Sequence, residues 1–271
     1  MITDILTALL VVAVVGFIAS VILVLASHFF AVKTDERVTK IRECLPGANC
    51  GACGYAGCDA YAKALVEEQG VKTTLCVPGA QAVVEQISEI LGVAVAESEV
   101  KEKSVAVVHC NGTCDAAPKK AIYDGMNSCR AASVLYGGAN ACNYGCVGCG
   151  DCADVCPADA ICVVDGVARV DSRLCIGCGK CAKTCPKHII SLVPIGSKQV
   201  VLCNNKEKGA VARKNCKNAC IACKKCELNC HAQAISVKDN LAAIDYEKCT
   251  NCGKCVEVCP VHCITAVNFE V

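Results

Sequence analysis

Ten cysteines in the middle of the chain recur 74 positions later without a gap. Cys129, Cys142, Cys146, Cys149, Cys152, Cys156, Cys175, Cys178, Cys181 and Cys185 map onto Cys203, Cys216, Cys220, Cys223, Cys226, Cys230, Cys249, Cys252, Cys255 and Cys259. A constant offset marks a duplicated unit. The chain carries 29 cysteines in 271 residues, and most are too closely spaced to pair with one another as disulfides. Disulfide frameworks belong to small secreted domains, so these spacings point to metal thiolates on a reducing side of a membrane. Trp is absent and aromatics are few, which leaves bound clusters to organise folding. The net charge of +1 excludes a globally basic nucleic-acid binder.

Within each copy the last eight cysteines spell C-x2-C-x2-C-x3-C twice, the ligand string of bacterial two-cluster ferredoxins. In that pattern the fourth cysteine of each run serves the other cluster. The expected sets are Cys146, Cys149, Cys152 with Cys185, and Cys175, Cys178, Cys181 with Cys156. In the second copy they are Cys220, Cys223, Cys226 with Cys259, and Cys249, Cys252, Cys255 with Cys230. Between the runs, AICVVDGVARVD and AISVKDNLAAID read as β-hairpins. His231 stands where Pro157, Pro186 and Pro260 follow the other fourth cysteines, so a different local turn is expected there.

Upstream, Cys50, Cys53, Cys58 and Cys76 sit in LPGANCGACGYAGC and a more distant LCVPG. Four thiolates on a glycine-rich loop suit one 4Fe-4S cluster, with zinc as the competing ligand. A short helix is expected over 59–68 and an amphipathic helix over 80–91, with Val83, Val84 and Ile87 on its apolar face, followed by a charged linker from Val93. Cys110, Cys114, Cys129 and Cys142 form a further set of four in one segment, expected to hold a sixth cluster, with buried packing thiols as the alternative. Cys203 and Cys216 are then a remnant of that set or packed thiols, Cys44 reads as a bystander thiol near the membrane surface, and Cys162 and Cys263 have no assigned role.

Residues 5–32 carry no formal charge, and at about 1.5 Å per residue they outreach a hydrocarbon core of roughly 30 Å. A retained membrane helix is expected rather than a cleaved signal peptide, because the run is long and lacks a basic n-region. Lys33, Arg37, Lys40 and Arg42 follow it, which places the N-terminus outside and the bulk of the chain in the cytoplasm as a single-pass cell-membrane protein. The expected fold class is α+β: a transmembrane anchor (1–33), a four-cysteine Fe-S domain with amphipathic helix and linker (34–100), a cysteine-bearing insert (101–145), and two tandem two-cluster ferredoxin-like units (146–198 and 199–271).

This order of parts resembles the B subunit of the Rnf complexes, membrane-bound ferredoxin:NAD oxidoreductases that pump sodium ions or protons. The resemblance implies an electron-relay subunit that takes electrons from soluble ferredoxin and passes them through 4Fe-4S clusters to membrane-embedded and flavin-bearing partner subunits. A membrane-tethered polyferredoxin feeding another reductase without ion pumping is the second reading. No dinucleotide-binding G-x-G-x-x-G lies between a strand and a helix, and one helix carries no ion path, so no complete active site is expected on this chain alone. From Val200 to Cys230, Lys206, Lys208, Arg213, Lys214, Lys217, Lys224 and Lys225 face only Glu207 and Glu227, which suggests where an acidic ferredoxin docks.

Overall fold

The computed structural model describes residues 2–29, 35–93 and 102–269. Lys33, most of the linker after Val93 and the expected boundary near residue 100 lie outside the described residues. Helix α1 (Ile2–Phe29) is apolar on every side, with Leu9, Val12, Phe17, Leu23 and Val24 all exposed. A helix without a polar face has no stable place against water, and the stretch Leu9–Ala26 is long and apolar enough to cross a membrane.

A small helical module follows. Helix α2 (Glu36–Cys44) starts at Asp35, whose carboxylate accepts the Arg37 N–H at 2.9 Å. Helices α3 (Cys58–Glu67) and α4 (Ala80–Leu91) match the expected positions to within a residue. Ile41, Tyr61, Leu65, Val83 and Ile87 pack into one core between the three. The buried Tyr61 hydroxyl donates to the Lys72 carbonyl at 2.8 Å, which satisfies the ring's polar end.

The rest of the chain is one pattern used twice. In the first copy, β1 (Ser104–Val108) pairs antiparallel with β4 (Ile190–Pro194), and the hairpin of β2 (Ile161–Val164) and β3 (Val167–Val170) lies between them in sequence. Short helices α6 (Asp151–Asp154) and α7 (Lys180–Thr184) follow the two cysteine loops. In the second copy, β5 (Gln199–Val201) pairs with β8 (Ile264–Ala266), with hairpin β6 (Ile235–Lys238) and β7 (Leu241–Ile244) and helices α9 (Lys225–Leu228) and α10 (Lys254–Glu257). Asp165-Gly166 and Asp239-Asn240 turn the hairpins with both residues at positive φ, the type I′ geometry that matches strand twist. Helices α5 (Cys129–Val134) and α8 (Gly209–Asn215) precede the cysteine loops of the first and second copy.

Strand register corrects the reading of the duplication. Val108 faces Ile190 and Val201 faces Ile264, so β1 corresponds to β5 at an offset of 93 (201 less 108) while β4 and β8 keep the offset of 74 (264 less 190). The His109 N–H reaches the Ile189 carbonyl and the Leu202 N–H the Cys263 carbonyl, each at 2.7 Å, which repeats both offsets. Cys203 is therefore the counterpart of Cys110, and not of Cys129. The duplication reaches back to β1, and the first copy carries 19 extra residues (93 less 74) between Cys110 and Cys142. The segment read as an insert from residue 101 thus contains the first strand of the first unit.

The two copies pack on each other. Val107, Val193 and Val200 form a shared core with Leu202 and Phe269, and the half-buried His109 ring bonds Val201 O at 2.7 Å and Ser191 Oγ at 2.6 Å. Partial burial lowers the His109 pKa, which favours the neutral form of this bridging imidazole.

Candidate cysteine centres

The motif cysteines converge as their spacing requires. Cys50, Cys53, Cys58 and Cys76 come together at the start of α3, and burial pushes the Cys76 thiol up. Asn49 Oδ1 accepts the Cys58 N–H at 2.9 Å, and a Cβ on Gly57 would lie 2.9 Å from that oxygen, so a side chain at Gly57 would push aside the amide that closes the loop. Cys156 lies with Cys175, Cys178 and Cys181, and Cys185 lies with Cys146 and Cys152 around a cavity of about 330 Å³. In the second copy Cys230 lines a cavity of about 350 Å³ with Cys249, Cys252 and Cys255, and Cys259 lines one of about 300 Å³ with Cys220, Cys223 and Cys226.

Each loop aims backbone N–H groups at sulfur. Cys146 accepts from Gly148 and Ala168, and Cys220 from the equivalent Ala222 and Ala242. The turn after every fourth cysteine also repeats: Asp159, His188, Gln233 and His262 all have φ near 50° and donate to Cys156, Cys185, Cys230 and Cys259. The turn at His231 is thus the same as those after Pro157, Pro186 and Pro260, contrary to expectation, because the positive-φ residue two places on sets it. Burial pushes Cys152 up to about 12 and Cys181 and Cys226 up to about 11, so these thiols hold their protons until iron displaces them.

The four cysteines expected to share a sixth centre are dispersed. Cys129 lines the cavity of Cys146, Cys152 and Cys185 and bonds Cys149. Cys114 is exposed, its N–H held by the Asp165 carbonyl at 3.0 Å. Cys110 and Cys142 instead line a cavity of about 380 Å³ together with Cys203 and Cys216. The signal that pairs them in sequence is VVHCN (107–111) against VVLCN (200–204), at the offset of 93 rather than 74. Cys263, also unassigned from sequence, is a fifth sulfur beside Cys220, 3.6 Å from Cys259. Its thiol bonds both neighbours, so Cys263 is raised and they are lowered.

The donor set fits iron-sulfur clusters. Tetrahedral zinc with Zn–S of about 2.3 Å needs sulfurs about 3.8 Å apart. Among the described residues no three Cys, His, Asp or Glu side chains converge on a point that could hold a single ion. The sulfurs stand instead around cavities, as a four-iron cubane requires. The sets also succeed one another. Cys50 and Cys178 feel each other's charge, as do Cys152 and Cys181, and the Cys146 N–H bonds Cys110 Sγ while the Cys220 N–H bonds Cys203 Sγ, each at 3.3 Å.

Ferredoxin-like cysteine loops around thiol-lined cavities define an iron-sulfur electron-transfer protein. Family models agree: a putative Fe-S cluster model matches residues 45–78, a 4Fe-4S dicluster domain 145–189, and a 4Fe-4S binding domain 242–265. The B subunit of the Na(+)-translocating ferredoxin:NAD(+) oxidoreductase complex of Acetobacterium woodii is 43% identical over 266 residues, 98% of this chain and 79% of that one. Its proton-translocating counterpart in Clostridium ljungdahlii is 39% identical over 96% of this chain and 91% of that one. The B subunit of the ion-translocating oxidoreductase complex of Methanosarcina acetivorans is 41% identical over 92% and 94%. The chain belongs to the family of B subunits of the Rnf-type ion-translocating oxidoreductase complexes.

Proposed function

We propose that this chain is the electron-relay subunit of a membrane-bound, ion-translocating ferredoxin:NAD oxidoreductase, taking electrons from reduced ferredoxin and delivering them to partner subunits at the membrane. The observation that carries this reading is the succession of cysteine sets from the second ferredoxin unit, through the first, to the module that follows α1. A 4Fe-4S cluster supplies one-electron redox chemistry at a potential tuned by hydrogen bonds to sulfur and by exposure. The residues of the chain hold the ligating sulfurs, point N–H groups at them and cover all but Cys223 and Cys252 at least in part. Each ferredoxin unit holds two clusters on its crossed ligand sets and the N-terminal module holds one.

Ferredoxin docks on the second unit. Lys206, Lys208, Arg213, Lys214, Lys217, Lys224 and Lys225 are all exposed, and Lys224 alone is within ion-pair range of an acid, Glu227 at 4.0 Å, among the described residues. Leu228, 81% exposed, gives the face an apolar centre, and the neighbouring Cys223 is itself exposed. Basic surfaces steer acidic partners and speed association at low salt. Partner subunits with flavins and multiple helices receive the electrons at the other end, where α1 anchors the chain with its N-terminus outside and its clusters in the cytoplasm.

Reversal of Lys214, Lys217 and Lys225 to Glu tests the docking face in the intact complex. Ferredoxin-driven NAD reduction falls about tenfold or more at low salt and loses most of its salt dependence, while reduction by dithionite is unchanged. Unaltered ferredoxin kinetics in this variant contradict the assignment.

A further inference from the structure

The cavity between the two ferredoxin units is built like a cluster site although no ferredoxin motif defines it. Its four sulfurs come two from each copy, Cys110 and Cys142 from the first and Cys203 and Cys216 from the second. Cys110 accepts N–H bonds from Gly112 at 3.4 Å and Cys146 at 3.3 Å, and Cys203 from the equivalent Asn205 at 3.5 Å and Cys220 at 3.3 Å. Cys142 accepts from the amides of Tyr144 and Gly145, and Cys216 from those of Asn218 and Ala219, again equivalent positions. The four sulfurs are thus related by the same duplication that relates the units, and each takes two amide N–H bonds, the provision made for cluster ligands elsewhere in the chain.

Two further observations point to a bound group. The cavity, about 380 Å³, is no smaller than those of the motif-defined sites, at about 330, 350 and 300 Å³. Asn205 is 1% exposed, and its side-chain Nδ2 reaches Cys142 Sγ at 3.5 Å across the boundary between the copies as well as Glu207 Oε2 at 3.4 Å, while its Oδ1 accepts the Glu207 N–H at 2.7 Å. An amide N–H directed at a sulfur of the other copy bonds it more strongly when that sulfur is a thiolate.

We infer that Cys110, Cys142, Cys203 and Cys216 together ligate a 4Fe-4S cluster shared between the two ferredoxin units. Through Cys110 it abuts Cys146 of the first unit, and through Cys203 it abuts Cys220 of the second, so it stands between the clusters of the two units. The inference rests on the relay reading above, and it replaces the set of Cys110, Cys114, Cys129 and Cys142.

Iron and acid-labile sulfide counted on anaerobically purified full-length chain test it, with zinc measured on the same samples. The wild type holds about 24 irons, four for each of six clusters. Cys203→Ser with Cys216→Ser lowers the count to about 20, and Cys114→Ser leaves it at about 24. A wild-type count of about 20, zinc in place of the missing iron, or a loss that follows Cys114 and not Cys203 with Cys216 overturns the inference. If the double variant does not fold, the wild-type count and the second variant still decide. An iron-free wild type instead overturns the relay reading itself, which keeps the two failures distinct.

Discussion

Single residues show how one fold tolerates two sequences. Gly148 and Gly150 of the first copy, at φ 85° and 96°, correspond to Ala222 and Lys224 of the second, at φ 55° and 60°. A Cβ on Gly148 would lie 2.7 Å from the Gly166 carbonyl oxygen, a backbone atom that cannot swing aside. Gly148→Ala is therefore expected to cost about 1–3 kcal/mol and to deplete the Cys146 cluster, whereas Ala222→Gly stays within about 1 kcal/mol of wild type. Thermal unfolding and iron content of the two variants check the asymmetry. Cys263 makes a second contrast. It bonds both Cys220 and Cys259, yet those two already have full motif partners, so Cys263→Ala keeps its iron while Cys259→Ala loses about four irons. Retention of a full complement by Cys259→Ala, with loss in Cys263→Ala, would reverse the roles.

At the scale of elements, the regular parts are legible in the sequence because their periodicity is local. The hairpins, α3 and α4 follow from turn pairs, glycines and the apolar face of Val83, Val84 and Ile87. The pairings β1 with β4 and β5 with β8 are not, since each joins strands more than 60 residues apart. That hidden register is also why spacing alone matches Cys203 to Cys129, and why it misses the two cysteines that line a cavity with Cys110 and Cys142. The extra 19 residues of the first copy carry α5, and Asp151 holds this helix. Its carboxylate accepts from Ser128 Oγ at 2.9 Å, Cys129 N at 2.7 Å and Arg130 N at 3.2 Å. Burial raises the Asp151 pKa, but these donors outweigh it and keep the carboxyl below its ordinary value. The second copy, without the extra segment, has Lys225 at this place. Asp151→Ala should cost about 1–2 kcal/mol and free α5 without loss of iron, seen as faster amide exchange over 128–134.

Across the whole molecule, the motif-defined sets follow from spacing alone because ligand order in the chain dictates order in space for a C-x2-C-x2-C loop. The cavity between the units does not, because its cysteines come from segments brought together only when the two units dock. That docking gives the chain its direction: a basic, exposed face at the second unit, and a small helical module next to an apolar anchor at the other end. Among the described residues α1 alone is long and apolar enough to cross a membrane, and one such helix encloses no path for an ion.

The central claim is that electrons enter at the second ferredoxin unit and travel through the first to the Cys50, Cys53, Cys58 and Cys76 module. Rapid-freeze EPR of the full-length chain mixed with excess reduced ferredoxin measures this directly, in the wild type and in the Cys203→Ser, Cys216→Ser variant that retains about 20 irons. The wild type should fill all its clusters, and the variant should stop at the two clusters of the second unit on the same timescale. Filling of the N-terminal module in the variant as fast as in the wild type would contradict the account.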